Sequence, residues 1–194
     1  MNERIGDVVL VTREIIKKLS EIDDTQFGVG TFSDESDAND GFENKLSLTE
    51  DSETAIDVAK LLRTEDGRDM EEANLAVLHK IAVGDSVGWR KGSRKIIVMF
   101  GGSPGHEPTC IEGSPITRYS VVQDLKAKKI SLFAVDLGNM DASTRSWPLT
   151  GCGGELTGTD GQTSFITERS GGLKISGSKE VLIEKLIDEV VDQI

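Results

Sequence analysis

Apolar residues recur along much of the chain at spacings of three and four, a pattern typical of one face of an α-helix. This pattern predicts helices over residues 5–19, 52–62, 71–82, 115–125 and 178–191. Ser52 and Ser178 are expected to cap two of these helices, because a serine side chain can accept a hydrogen bond from the first helical turn. Pro115 is expected to begin another.

Five segments between these helices have the length and composition of β-strands. They cover residues 27–32, 42–48, 96–100, 130–135 and 173–175. The segments 96–100 and 130–135 are continuous apolar runs, a pattern typical of strands that helices cover on both faces. The order of the elements predicts one domain over residues 1–194, an α/β fold with a doubly wound, mostly parallel central sheet flanked by helices.

Ligands of such folds bind beyond the carboxyl ends of the strands. The loops at that edge are expected over residues 33–41, 64–72, 101–115 and 136–160. Functional side chains are therefore expected in these four loops.

The chain carries 34 acidic and 22 basic residues, which gives a formal net charge of −12. A field of this sign repels phosphate backbones and attracts cations, so we expect no nucleic-acid partner. The apolar runs are far shorter than the roughly 20 residues needed to cross a bilayer, so no membrane insertion is expected in this segment. The first residues have neither the basic start nor the apolar stretch of a secretory signal peptide.

The two cysteines, Cys110 and Cys152, both lie in segments rich in glycine, proline, serine and threonine. A disulfide between loops of an exported protein would have this position. Two unpaired thiols are the alternative.

Several segments carry a family signature when they are taken in order. They are Phe27-Gly-Val-Gly-Thr-Phe-Ser-Asp34, Asp69-Met-Glu-Glu-Ala-Asn-Leu75, Val87-Gly-Trp-Arg90 and residues 96–108, followed by residues 122–136 and 162–172. Together they resemble von Willebrand factor A (VWA) domains of the integrin-beta-like kind, over nearly the whole chain. The resemblance implies a Rossmann-like fold and a non-enzymatic role in cell adhesion or protein recognition, at the cell surface or outside the cell.

The resemblance also implies a metal-ion-dependent adhesion site, where a divalent cation, Mg²⁺ or Ca²⁺, takes an acidic side chain of a protein ligand. The positions that match the family's cation ligands include Asp34, Asp69 and Glu72. Both cations prefer hard oxygen ligands, and Asp69 and Glu72, three residues apart, can face one ion. The ligand face is expected to include Gly102, His106 and Glu107, stiffened by a disulfide between Cys110 and Cys152.

Two features depart from the family's pattern. The family's opening strand, with its Asp-x-Ser-x-Ser motif, has no counterpart here, and Met1 falls about where that motif would finish. Gly102 stands where family members commonly place an acid, so Ser103 is the neighbouring residue that offers the cation a side-chain oxygen. The neighbours of a missing central strand would expose unpaired backbone groups. We expect either an N-terminally truncated sequence or a strand supplied by another chain.

One alternative keeps the same fold without a working cation site. In a degenerate scaffold, the lost strand and Gly102 would abolish cation dependence and leave protein binding by surface shape alone. Asp69 and Glu72 would then be ordinary acidic residues near the start of a helix, where the helix dipole favours negative charge.

The remaining alternatives assign chemistry to the turn at residues 101–105. Its Gly-x-Ser-x-Gly pattern matches the nucleophile elbow of serine hydrolases, with Ser103 as nucleophile and Asp136 as acid. In those enzymes the histidine follows the acid, whereas His79 and His106 both precede Asp136. The turn also lacks the Gly-Lys-Ser/Thr end of a phosphate-binding loop. The nearby His106, Glu107 and Cys110 are too few for a structural zinc site.

Overall fold

The computed structural model describes residues 5–33, 41–63, 72–143 and 160–191. The helices in these ranges are α1 Ile5–Leu19, α2 Ser52–Lys60, α3 Asn74–Val83, α4 Arg118–Lys128, α5 Gln162–Ser170 and α6 Lys179–Val191. The strands are β1 Phe27–Phe32, β2 Phe42–Thr49, β3 Lys95–Gly101, β4 Thr109–Ile111, β5 Ser114–Ile116, β6 Ile130–Asp136 and β7 Lys174–Ile175.

Strand β6 is the centre of a three-stranded parallel sheet in the order β3-β6-β7. Its register with β3 runs without interruption from the Lys95–Ile130 pair to the Gly101–Asp136 pair. The apolar run from Leu132 to Val135 is fully buried, as expected for a strand covered on both faces. Strands β1 and β2 pair antiparallel in a sheet of their own.

Two apolar cores lie on opposite faces of β6, because successive side chains of a strand point to opposite faces. Phe133 and Val135 pack in the first core with helices α1, α2 and α6, and Leu132 and Ala134 pack in the second core with α3, α4 and α5. Burial of a large apolar side chain such as Phe133 contributes about 1.5–3 kcal/mol to stability. The described residues therefore confirm the predicted α/β architecture with helices on both faces of the sheet.

The described residues show a break in the sheet between β1 and β3. Strand β1 pairs with β2, strand β3 pairs with β6, and the two pairs belong to separate sheets. Strand β1 still contributes to both cores, through Phe27 in the first and Phe32 in the second. In the described segment before β1, residues 5–26, the chain forms α1 and turns.

Two predicted helix starts differ from the structure. Helix α2 is capped by Asp51, whose side chain accepts a hydrogen bond from Thr54 N at 3.0 Å, and Ser52 is its first helical residue. Helix α3 begins at Asn74 because the backbone of Glu72, predicted to be helical, instead forms a parallel β-bridge with Gly105.

The prediction that Pro115 begins a helix is wrong. Pro115 lies in β5, opposite Cys110 in an antiparallel hairpin that the apolar pattern did not indicate. Helix α4 begins after Thr117, because Thr117 and Ser120 form a reciprocal capping box in which each side chain accepts from the other's backbone N–H. The sequence pattern also did not predict α5, because this helix contains few apolar residues among polar ones.

A cluster of charged side chains joins the end of β6 and the chain after it to the first residue of β7. Lys174 Nζ lies 2.7 Å from Asp141 Oδ2 and 3.3 Å from Asp136 Oδ2. Burial alone would raise the pKa of Asp141, but the hydrogen bonds with Lys174 and Ser164 outweigh it and hold that pKa below its ordinary value of 3.8. Burial would lower the pKa of Lys174, but its two carboxylate partners raise that pKa above 10.5.

The Asp141→Asn variant is expected to lose about 1–3 kcal/mol of unfolding free energy at neutral pH, because Lys174 loses a charged hydrogen-bond partner. The depressed pKa of Asp141 means that its contribution is present above pH 3.8 and is lost as the pH falls through the folded value. The raised pKa of Lys174 means that its contribution is present below pH 10.5 and is lost as the pH rises through the folded value.

Urea unfolding should therefore show a constant difference in unfolding free energy between wild type and Asp141→Asn from about pH 5 to 9. The difference should become smaller below and above this range. Asp188→Asn, at an exposed position of α6, is the matched control and should change stability by less than about 0.5 kcal/mol. A difference that persists unchanged to strongly acid pH would contradict this assignment.

Candidate functional site

The loop after β3, residues 101–108, is attached to the chain that follows β6. Leu137 N donates to Gly101 O at 2.8 Å, and Asn139 N donates to Gly102 O at 2.9 Å. The loop therefore leaves the sheet at the carboxyl edge, where ligands of parallel α/β sheets bind.

The backbone of Glu72 is docked on this loop. Glu72 N donates to Pro104 O at 2.9 Å, and His106 N donates to Glu72 O at 3.1 Å. These bonds place Glu72 beside Ser103 and His106, which are half-buried. The structure thus brings together three residues that the sequence predicts at the functional face, although 34 and 31 positions, respectively, separate His106 and Ser103 from Glu72 along the chain.

Asn74 supports the same loop from below. Its side chain is only 2% exposed and donates from Nδ2 to Ser103 O at 3.0 Å. Its Oδ1 is buried and has no hydrogen-bond partner within the part of the chain that the structure describes. Sequence reasoning missed Asn74, although a polar residue at the start of the apolar segment 74–83 is a usable signal.

A buried polar network fixes the loop to helices α4 and α5. Gly105 donates to Gln162 Oε1 at 2.7 Å, and Gln162 Nε2 donates to Gly105 O at 2.9 Å and to Glu107 Oε2 at 3.0 Å. Glu107 Oε1 accepts from Arg118 N at 2.9 Å. Glu107 was expected on the ligand face, but it is 4% exposed and lies beneath that face. The buried carboxyl group of Glu107 forms hydrogen bonds with Gln162 and Arg118 in this position, as a buried polar group requires.

Gly105 is required where the loop passes between two helices. A Cβ atom at this position would lie 2.9 Å from Asn74 Cβ and 3.1 Å from Gln162 Oε1. Contacts this short force neighbouring atoms to move. The glycine therefore allows the start of α3 and the start of α5 to contact the loop together.

Asp34 and Asp69, the other two predicted ligands of the cation, lie outside the described residues, as does Cys152. Within the described ranges, no three acidic, histidine or cysteine side chains are grouped as a metal site would require. Glu72 and Ser103 nevertheless carry the hard oxygen atoms that Mg²⁺ and Ca²⁺ prefer. A cation here would therefore depend on Asp34 and Asp69 to complete its ligands.

The hydrolase alternative needs an acid and a histidine beside Ser103. Asp136 Oδ1 accepts hydrogen bonds from Gly138 N at 3.0 Å and Met140 N at 3.2 Å, and its Oδ2 contacts Lys174. His79 Nδ1 lies 2.7 Å from Asp124 Oδ2, between helices α3 and α4. Asp136 and His79 therefore have structural partners of their own, and neither favours the hydrolase alternative.

Cys110 lies in β4, close in sequence to the loop. It is not a free thiol. Because Cys152 lies outside the described residues, the disulfide between the two remains a prediction.

A comparison with protein families identifies the family of this chain. Residues 2–146 match the family described as integrin beta-like protein A-E, vWA-like. The chain belongs to this family. A search of curated proteins found no match for this vWA-like domain.

Solved structures share the fold of the vWA-like domain at low sequence identity. An aerotolerance-related membrane protein from Bacteroides fragilis NCTC 9343, with multiple mutations to serines, has a TM-score of 0.64 and 12% identity, covering 98% of this chain and 89% of its own. The conserved hypothetical protein BatB from Bacteroides thetaiotaomicron has a TM-score of 0.56 and 14% identity, and the match covers 97% of this chain and 87% of that protein. In the described part of this vWA-like domain, no helix is long and apolar enough to span a membrane.

Replacing Gln162 with alanine is expected to release the loop, because Gly105 and Glu107 would lose buried hydrogen-bond partners. We expect a loss of at least about 2 kcal/mol in unfolding free energy and faster amide exchange in residues 101–108. Gln123→Ala, at an exposed position of α4, should leave both unchanged. Destabilisation without faster exchange in the loop would mean that Gln162 acts only through the packing of α5.

Proposed function

We propose that this vWA-like domain is a non-enzymatic recognition module that binds a protein ligand at the face formed by Glu72, Gly102, Ser103 and His106, the recognition face. The observation that carries the proposal is the buried network of Gln162, Glu107 and Arg118 beneath the loop. A loop held in one conformation before binding loses little conformational entropy when its ligand arrives. Buried polar contacts of this kind support a binding surface rather than a plain turn.

A divalent cation, Mg²⁺ or Ca²⁺, forms part of the proposed site. Asp34, Asp69, Glu72 and Ser103 would hold it through oxygen atoms, and the net charge of −12 favours cations near the domain. When bound, the cation would offer an open coordination position to an acidic side chain of the ligand. Glu72 would contribute because its backbone is already fixed on the loop by Pro104 and His106.

We place the domain at the cell surface or outside the cell, as an adhesion module. The support for this part is the family relationship together with the predicted disulfide between Cys110 and Cys152. A disulfide would persist only in an oxidising compartment.

Thermal unfolding with EDTA and then with millimolar Mg²⁺, Ca²⁺ or Mn²⁺ tests the cation. An ion at about 100 times its dissociation constant should add about 2.7 kcal/mol, because it binds the folded state. For a chain of this length, that stabilisation raises the Tm by about 5–10 °C.

The Asp69→Ala variant should lose this rise, whereas Glu184→Gln, at an exposed position of α6, should keep it. If no cation shifts the Tm of the wild-type domain, the cation has no part in the function. The recognition face would then be a cation-independent scaffold.

Selection of displayed random peptides on the immobilised chain in Mg²⁺ tests the recognition face. We expect selected peptides to share an aspartate or glutamate and to lose at least about tenfold in affinity for Ser103→Lys, because that side chain covers the centre of the face. Binding should be unchanged for Lys126→Ala, at an exposed position of α4. Equal binding to the Ser103→Lys variant would place the binding surface elsewhere and overturn the proposal.

A further inference from the structure

Exposed basic side chains are concentrated at the amino edge of the sheet, where β3 and β6 start. They belong to two short segments, residues 90–95 and 126–129, which contain no acidic residue. Lys95 pairs in register with Ile130 and donates from Nζ to Lys128 O at 3.1 Å, so the two segments lie side by side. The exposed cations of these segments, the basic edge, are Lys91, Arg94, Lys126, Lys128 and Lys129.

The cations of the basic edge have no carboxylate partner among the described residues. Other exposed lysines of the domain do have one, since Lys18 pairs with Glu21 and Lys60 pairs with Asp57. Like charges that are held close together repel one another, which destabilises the folded domain. The chain has a net charge of −12, so acidic residues are abundant, yet none neutralises this edge. A partner that brings negative charge would remove the repulsion.

The helix dipole accounts for only part of the basic edge. Lys126 and Lys128 lie in the last turn of α4, where the negative end of the dipole favours cations. Lys91 and Arg94 belong to no helix. The local structure of the described residues therefore gives the charges of Lys91 and Arg94 no role, which leaves them available to a partner.

Acidic side chains flank the basic edge. Arg90 pairs with Asp24, which places the loop before β1 next to the segment 90–95. That loop also exposes Glu21 and Asp23. A flat anionic surface such as a membrane would approach these carboxylates together with the basic edge, and their repulsion acts within about 8 Å in physiological salt. A narrow partner can contact the cations alone, so the charge pattern favours a narrow partner.

An exposed apolar side chain also lies at the amino edge. Helix α3 begins beside the loop at 101–108, at the carboxyl edge, and therefore ends at the amino edge. Its last residue, Val83, is 46% exposed. Helix α3 packs in the second core with α4, whose last turn carries Lys126 and Lys128. A polypeptide can present acidic and apolar side chains in one segment, which nucleic acids and sulfated polysaccharides do not.

We propose that the basic edge binds an acidic polypeptide segment of a partner protein, whose carboxylates pair with Arg94, Lys126 and the neighbouring lysines while an apolar side chain contacts Val83. Several cations attract such a segment at once, which favours fast and oriented association. The basic edge lies at the opposite end of the strands from the recognition face, and its contacts need no metal ion. The domain thereby has two separate binding surfaces.

A labelled peptide, Glu-Asp-Leu-Glu-Asp-Phe-Glu-Glu, tests the basic edge by fluorescence anisotropy. The measurement is made in EDTA and about 0.15 M salt, so that no cation at the recognition face holds the acidic probe. We expect Arg94→Glu/Lys126→Glu to weaken binding at least about tenfold, because like charges then face each other. Lys45→Glu/Lys185→Glu, at exposed positions of β2 and α6, has the same net charge and should bind within about twofold of the wild type.

Two further measurements separate loss of the cations from damage to the fold. Higher salt should weaken binding to the wild-type chain, because the contacts are between charges. Arg94→Gln/Lys126→Gln removes both cations without adding carboxylates and should weaken binding at least about threefold. Equal affinity of the two glutamate variants, or no binding of the peptide by the wild-type chain, would overturn the proposal.

Other partners give different results. Phosphatidylserine vesicles or heparin could bind the wild-type chain at least as tightly as the peptide does, with loss of binding in Arg94→Glu/Lys126→Glu. Either result would overturn the assignment to an acidic polypeptide. Sedimentation velocity tests for a second copy of the chain. A salt-sensitive dimer that the same variant does not form would mean that the acidic segment belongs to this chain, and the separate partner protein would be wrong.

Discussion

The pairing of β6 with strands on both sides is the interaction on which the rest of this domain depends. Its four central apolar residues are fully buried and point alternately into two cores. Helices on each face pack against these side chains and against one another. The register with β3 also fixes where the loop at 101–108 leaves the sheet. A change in β6 would therefore move both the cores and the recognition face.

The loop of the recognition face is held by buried polar contacts. Gln162 is 0% exposed and Glu107 4%, and a buried polar group stabilises only when its hydrogen bonds are complete. Gln162 bonds to both backbone groups of Gly105, and Glu107 bonds to Gln162 and to Arg118 N. Such a network contributes less to stability than apolar packing of equal volume, but it specifies one conformation of the loop. A binding surface needs that specificity more than it needs stability.

The sequence predicted elements well where the apolar pattern determines them. Helix α1 has the predicted ends, and β1 also matches the predicted segment, because their periodicities begin and end with the packed residues. The start of α3 differed because backbone bonds between Glu72 and the loop replace the first helical turn. Pro115 was misassigned because a hairpin and a capping box, both local polar features, begin α4 at Arg118. Apolar periodicity carries no information about either feature.

The same distinction explains what could be predicted of the candidate site. Glu72, Ser103 and His106 were predicted from the resemblance and lie together, although the sequence itself gives no reason for their contact. Gln162 and Arg118 were missed because polar residues at helix starts are usually exposed. Glu107 was expected at the surface for the same reason. A glutamine at the start of a helix, followed by further polar residues that are buried, is recognisable only after the fold is known.

The connection between the two sheets at the carboxyl edge explains why the recognition face and the break in the sheet belong together. Residues 72 and 73 contact both sides: Ala73 adjoins Gly41 beyond β1, and Glu72 pairs with the loop beyond β3. No backbone ladder joins β1 to β3 in the described residues, so this short segment transmits their relative position at the edge where ligands bind. The geometry of the recognition face therefore depends on the relative position of β1 and β3.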